Sequence, residues 1–281
     1  MSYSTIKSYA KINLALNVVG KKFSLHKIES IVSFLDLYDE IFIRNIKSKN
    51  HKIKFIGKFS KDINSNNTLS KLLKIIDKKK LLKNQKFEII IKKNIPSKAG
   101  LGGGSMNAAC TLKYLIKKKL IDISIKEIHE ICNSIGSDVI LGIYSNNLIL
   151  KSDKTIQEFL IKKKFFSLVV KPDLDCSTKK IYSYVKKFKR PKFNQPKKKL
   201  FNIDSLKKMN NDLELIVLNK YPKICTLKNF LERLSRVEFV RMTGSGSAII
   251  AYFKTYKLCK QAEKKVKKRF KNYWCKAAKT I

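Results

Sequence analysis

Between Lys11 and Val18, apolar and polar positions alternate. Ile12, Leu14, Leu16 and Val18 fall on one side of an extended segment, and Lys11, Asn13, Ala15 and Asn17 on the other. The pattern predicts a strand with Lys11 and Asn13 side by side, turned away from the core beneath. Runs rich in Ile, Val and Phe predict further strands over residues 40–44, 53–59, 87–92, 166–171, 238–241 and 248–253. Helical spacing appears over 68–77, and again where Ala108, Ala109, Leu112, Leu115 and Ile116 recur. A third helix is marked by Ser124 with Glu127 three residues on, a capping box. Ile128, Ile131, Cys132 and Ile135 form its apolar face, and Gly136 lies at its end. Later helices are predicted over 210–218, 223–234 and 256–270. The basic stretch 186–199, holding Pro191 and Pro196, reads as a loop. A second set of elements begins past about residue 155, so a domain boundary is expected near 153, dividing the chain into 1–153 and 154–281. No repeat of fixed period is evident.

One stretch breaks this texture. "IPSKAGLGGGSMNAA", residues 95–109, holds four of the ten glycines in the chain, at 100, 102, 103 and 104. It lies between a predicted strand and the start of a helix. Glycines let backbone N–H groups approach a ligand and adopt positive φ. The first N–H groups of a helix lack partners within it. Together they make a phosphate site, favoured by the helix dipole. A plain tight turn needs only one or two glycines. Three familiar motifs are excluded: no lysine follows the last glycine as in G-x-x-x-x-G-K-[ST], Ser105 spoils G-x-G-x-x-G, and G-x-S-x-G is absent.

Composition narrows the class. The chain has 281 residues, 44% hydrophobic and 30% charged, which suits a globular protein and not a disordered one. No apolar run approaches the roughly 20 residues of a membrane helix. Lys7 and Lys11 interrupt the first segment and no small-residue cleavage site follows, so a cytoplasmic protein without a signal peptide is expected. Six cysteines, at 110, 132, 176, 225, 259 and 275, form no C-x-x-C pair, and three histidines form no H-E-x-x-H pair. Neither a disulfide framework nor a transition-metal site is expected. Sixty-two Lys and Arg against 21 Asp and Glu give a net charge of +41. The lysines are spread along the chain together with an excess of Ile, Asn and Phe, a pattern that AT-rich coding produces. Such a charge still draws in anionic small molecules.

The glycine stretch resembles the P-x-x-x-G-L-G-x-[GS]-S loop of the GHMP kinases, which include galactokinase and the homoserine and mevalonate kinases. "YAKINLALNVVGKK", "ESIVSFLDLYDEI", "GSDVILG", "STKKIY", "NNDLE" and "RMTGSGSAII" follow in order along most of the chain. That set is similar to the branch acting on a cytidine diphosphate-linked methylerythritol. The resemblance implies an α+β, two-lobed kinase fold, with a ribosomal S5 domain 2-like N-terminal lobe and a ferredoxin-like C-terminal lobe. It implies ATP and Mg²⁺ as cofactors, and phosphorylation of the 2-hydroxyl of that small-molecule substrate. It also implies no membrane or nucleic-acid partner, and a monomer or homodimer.

By the same resemblance, Asp138 would accept the hydroxyl proton and Lys11 would stabilise the phosphoryl group beside it. Pro96, Ala99, Gly100, Leu101, Gly102, Gly103, Gly104 and Ser105 would line the ATP loop, with Asn67 near the adenine. Ser105 would contact phosphates or the metal, a role compatible with capping the helix. Asn13, His26, Tyr182, Gly244 and Gly246 would bind substrate, His26 at the cytosine edge and Tyr182 against its face. Two departures stand out. "FSLH" has Leu25 where the family usually carries a tyrosine that can stack on the base, and "SMNAA" has Asn107 where many relatives carry an aspartate. Another GHMP kinase, acting on homoserine or a mevalonate derivative, is the alternative. A basic nucleic-acid-binding protein on a kinase fold is the more distant one.

Overall fold

The computed structural model describes residues 2–23, 25–61 and 63–281. By contact the chain groups into two units: residues up to 11 with 37–97 and 102–145, and residues 12–36 with 98–101 and 146–281. These units differ from a single cut at 153. The reason lies in the first two strands, β1 (Ser4–Lys22) and β2 (Leu25–Ile46), of 19 and 22 residues. Strands of that length exceed the usual 3–10 residues, and each contributes one end to either unit.

In the first unit, the later half of β2 pairs antiparallel with β4 (Lys86–Lys92), and β3 (Lys52–Ile56) pairs parallel with β4. β3 stops at Ile56, short of the predicted 59, because Gly57 turns with φ +91° and Lys93 N donates to the Ile56 carbonyl (2.8 Å). Helices α1 (Thr68–Lys78), α2 (Gly103–Lys117) and α3 (Ile125–Ile135) complete this unit. Ile41, Ile43, Ile89, Ile91, Leu69, Leu72, Leu112 and Leu115 are buried at its centre. The predicted capping box of α3 is present: Ser124 Oγ accepts from Glu127 N (3.2 Å), and the Glu127 carboxylate accepts from Ser124 N (2.8 Å).

The second unit holds β5 (Asn147–Leu150), paired with residues 30–32 of β2 and with β6 (Ile156–Phe159). It also holds an antiparallel sheet of order β10-β7-β9-β8, from β7 (Phe166–Lys171), β8 (Val237–Met242), β9 (Ile249–Phe253) and β10 (Trp274–Lys279). The short α4 (Thr178–Ser183) and α5 (Ile203–Lys207) precede α6 (Glu214–Lys220), α7 (Pro222–Glu232) and α8 (Tyr256–Arg269). Leu168, Val170, Ile224, Leu227, Leu231, Ile249 and Val266 pack where α7 and α8 lie on the sheet. No helix among the described residues is long and apolar enough to cross a membrane.

Two sequence expectations change. The polar side of β1 is not solvated: Lys11, Asn13, Ala15 and Asn17 are all at least 95% buried. Alternation there separates two interiors of different polarity instead of core and water. The long β2 was legible only in its last few residues. Its middle, "SIVSFL", is buried on both faces, so no alternation marks it.

His51, just before β3, accepts a hydrogen bond from Phe87 N at Nδ1 (3.0 Å), which requires that nitrogen unprotonated. Burial pushes its pKa down, against the opposing pull of Asp77 at 3.3 Å. A histidine with a depressed folded pKa contributes stability above its unfolded value of about 6.5, and that contribution is lost as pH falls through the folded value. Tm should therefore fall between pH 7 and 5. His51→Asn, which keeps an acceptor near Nδ1 without a titrating ring, should flatten that slope. An equally steep slope in the variant would remove His51 from the account.

Candidate active site

The glycine stretch does run from strand to helix. Gly102 is the N-cap of α2, with φ +67° and no side chain to offer. The first intrahelical bond runs from Met106 N to the Gly102 carbonyl (2.8 Å). The N–H groups of Gly103, Gly104 and Ser105 thus have no partner inside the helix, and they add to the positive end of its dipole. Ser105 is not the cap; it lies in the first turn, because the left-handed Gly102 begins the helix earlier. Thr68, first residue of α1, donates its hydroxyl to the Gly104 carbonyl (2.6 Å) and ties the starts of the two helices together. Asn67 caps α1, accepting from Leu69 N and Ser70 N at 3.0 Å each, while its amide donates to the Asn64 carbonyl (3.0 Å). Its amide is therefore committed to local structure. Pro96, Ala99 and Leu101 are buried.

Lys11 and Asp138 meet, as the sequence implied. Lys11 Nζ lies 3.0 Å from Asp138 Oδ2; the lysine side chain is 3% exposed and the aspartate 34%. The lysine is the buried partner and the aspartate the more exposed one. Asp138 follows α3 in the turn after Gly136, ahead of a 3-10 turn over Ile140–Ile143. Gly102 makes room for the lysine stem, since a Cβ there would sit 2.6 Å from Lys11 Cγ.

Beneath the loop lies a group the sequence reading missed. Asp39 is fully buried and pairs with Lys93, itself 3% exposed. Asp39 Oδ1 also accepts from Asn94 N (2.8 Å) and Ile95 N (2.9 Å), and Oδ2 from Asn107 Nδ2 (3.0 Å). One carboxylate thus holds the chain leaving β4 and the second turn of α2. Asn107, the departure noted in "SMNAA", serves here as a donor to Asp39. An aspartate at that position would face a second carboxylate.

The second unit carries the remaining residues. Asn13 donates its side-chain amide to Ser30 Oγ (2.8 Å) and its backbone N–H to Thr243 Oγ1 (3.0 Å). Thr243 in turn donates to the Gly100 carbonyl (3.1 Å). Gly244 and Gly246 have φ of +56° and +84° in the turn between β8 and β9. That turn is pinned by Ala248 N to the Ala99 carbonyl (3.3 Å), and by Asn211 Nδ2 to the carbonyls of Met242 (2.9 Å) and Gly244 (2.8 Å). Asn211 comes from "NNDLE", a motif whose work the sequence left unassigned. His26 and Tyr182 are together, ring centroids 5.0 Å apart and tilted by 36°. Burial, with Lys21 nearby, lowers the His26 pKa and favours the neutral ring.

For Mg²⁺, no cluster of three His, Cys, Asp or Glu side chains among the described residues is arranged to hold an ion. The loop offers single oxygens such as Ser105 Oγ. Mg²⁺ is commonly bound through one or two protein ligands plus substrate phosphates, so these residues fit an ion that arrives on a nucleotide.

Residues 67–146 match the family model of the GHMP kinases N terminal domain. The whole chain is 56% identical to a 4-diphosphocytidyl-2-C-methyl-D-erythritol kinase of Pelagibacter ubique, covering 100% of each. It is 31% identical to one of Thermodesulfovibrio yellowstonii, over 99% of this chain and 98% of the relative. A crystal structure of 4-(cytidine 5'-diphospho)-2C-methyl-D-erythritol kinase superposes with a TM-score of 0.79 at 19% identity, covering 99% of this chain and 100% of that one. The Methanococcus jannaschii mevalonate kinase superposes with a TM-score of 0.65 at 18% identity, covering 100% and 99%. These two likenesses speak to fold.

Two substitutions test the loop. Asp39→Asn leaves the Lys93 ammonium buried without its counter-charge and should cost about 3–5 kcal/mol in urea unfolding. Gly102→Ala forces a side chain into left-handed backbone, at roughly 1–2 kcal/mol, and into the Lys11 stem. Unchanged unfolding midpoints would show that neither constraint acts.

Proposed function

We infer the function from one premise: the chain belongs to the 4-diphosphocytidyl-2-C-methyl-D-erythritol kinases, within the GHMP kinases. It is an ATP-dependent phosphotransferase acting on the 2-hydroxyl of 4-diphosphocytidyl-2-C-methyl-D-erythritol, in the non-mevalonate route to isoprenoid precursors. The observation that carries the chemistry is the 3.0 Å contact of Lys11 with Asp138, its lysine stem lying against Gly102 at the head of α2.

Phosphoryl transfer depends on positioning and charge stabilisation more than on covalent work by the protein. Asp138 takes the proton from the substrate 2-hydroxyl as its oxygen bonds to the γ-phosphorus, and the bond to ADP breaks. Lys11 orients the Asp138 carboxylate through their 3.0 Å ion pair. Its ammonium also offsets charge on the transferring group. The N–H groups of Gly103, Gly104 and Ser105, which precede the first intrahelical bond, support a phosphate-binding role for the loop from Pro96 to Ser105. Ser105 Oγ would reach a Mg²⁺ carried on the nucleotide, which would further neutralise phosphate charge. Asn67 is assigned to the adenine end through the backbone it caps. Asn13, His26, Tyr182, Gly244 and Gly246 are assigned to the substrate. The functional division we adopt is an ATP-binding part to residue 153 and a second kinase domain from 154, working in the cytoplasm.

Asp138→Asn should lower kcat by about 10²–10⁴-fold, the usual worth of a general base, with KM for ATP nearly unchanged. Near-normal turnover would remove Asp138 from this role. Offered homoserine, mevalonate and 4-diphosphocytidyl-2-C-methyl-D-erythritol with Mg·ATP, the enzyme should phosphorylate the last alone. Turnover of another acceptor instead would overturn the substrate assignment.

A further inference from the structure

Arg241, on β8, is 5% exposed, and among the described residues its side chain hydrogen-bonds only to main-chain carbonyls. One terminal nitrogen donates to Leu14 of β1. The other donates to Leu206 of α5 (2.8 Å) and to Met209 just beyond that helix. Burial pulls the arginine pKa down, so desolvation outweighs what nearby charges return. Phe239, two residues back on β8, lies against the guanidinium at 4.8 Å and is itself stacked on Tyr252 (4.2 Å, 17°), which holds the fork flat. A buried charge without an ionic partner is a poor stabiliser, and an apolar side chain of similar volume often serves stability as well. What an arginine adds is a rigid fork whose two ends stand a fixed distance apart.

Those two ends join β1 to the segment 206–212. Along one edge of β1, Leu16 N donates to the Asn210 carbonyl (3.1 Å), Asp212 N to the Leu16 carbonyl (2.9 Å), and Val18 N to Asp212 Oδ2 (2.9 Å). Two residues earlier, at Leu14, the Arg241 fork continues this line of contacts. Two residues past Arg241, Thr243 Oγ1 accepts from Asn13 N (3.0 Å). One short stretch of chain therefore grips β1 at two adjacent residues, Asn13 and Leu14.

We propose that Arg241 is a positioning residue for the acceptor: its fork sets the spacing of β1 from the segment 206–212 and so places Asn13. This rests on the substrate reading above, which assigns Asn13 to the acceptor. Neither nitrogen of the fork needs to touch a ligand. A binding group displaced by about 1 Å can cost roughly 10²-fold in rate, so the spacing of one strand matters more than the energy of the bonds that set it. Lysine is no substitute, because its single nitrogen cannot serve two segments at the width of a guanidinium.

The test uses the full chain, with urea unfolding beside steady-state kinetics. Arg241→Met fills similar space without the charge and should keep or raise the unfolding midpoint. Its kcat/KM for 4-diphosphocytidyl-2-C-methyl-D-erythritol should fall by roughly 10–10²-fold, chiefly through KM, while KM for ATP stays within about twofold. Arg241→Lys keeps a cation, loses the fork, and should show the same loss. A merely structural role would move the constants of both substrates together with the unfolding midpoint. Wild-type acceptor kinetics in Arg241→Met overturns the proposal, as does rescue by lysine or a parallel rise in KM for ATP. Failure of both variants to fold would make Arg241 structural and overturn it too. No turnover of this acceptor by the wild type would overturn the substrate reading and the proposal together, whereas variant results beside an active wild type bear on Arg241 alone.

Discussion

In the first unit, the exit of β4 and the start of α2 depend on one buried carboxylate. Asp39 collects an ammonium, two backbone N–H groups and a side-chain amide, and these come from the exit of β4 and from α2. A buried ion pair of this kind contributes little net stability, because desolvation offsets most of the attraction. Its value is geometric. The pair fixes where the chain leaves the sheet and where α2 begins, so the loop between them has few paths. It also dictates residue choice above it. Lys93 Nζ lies 3.2 Å from where a Cβ on Gly103 would stand, and a side chain there would have to displace it. The glycines answer to the buried lysines beside them, Lys93 at Gly103 and Lys11 at Gly102, as much as to the phosphate role we propose for them.

That dual demand explains what could be read from the chain. The glycine run, the Ser124 capping box and the alternation after Lys11 are local signals, each set by neighbours a few residues away, and each appears where expected. Lys11 with Asp138 could be found only through the ordered motifs, since no periodicity links positions 11 and 138. Asp39 stayed hidden in "LDLYDEIF", where its carboxylate looks like any polar residue at a strand end. Its partners lie more than 50 residues away. The burial of both faces in the middle of β2 erased the contrast that sequence patterns rely on. The unit division escaped for the same reason, because two continuous strands feed both units.

Fold and acceptor choice separate cleanly here. Kinases for several acceptors share this architecture, so the architecture cannot select among them. The residues we assign to acceptor choice, His26 and Tyr182 among them, lie in the second unit. Asn13 illustrates the distinction. Its amide is spent on Ser30 and its backbone on Thr243, so it shapes the strand as well as any ligand.

The charge imbalance has a counterpart inside. With 62 basic residues against 21 acidic ones, each carboxylate is scarce, and several are used in one way. Asp39 accepts from Asn94 N and Ile95 N, Glu29 from Lys192 N and Phe193 N, Asp212 from Val18 N, and Asp36 from Lys279 N. Each satisfies backbone donors that the local ladder leaves open, and hydrogen bonds to a charged acceptor are about twice as strong as neutral ones. Lysines drift freely on the exterior because a solvated ammonium costs little wherever it stands. An acid that anchors a loop has no such freedom, since its removal leaves backbone N–H groups unpaired. Most of the surplus positive charge therefore lies on the surface, and Asp39, Glu29, Asp212 and Asp36 mark points where the chain's path is held.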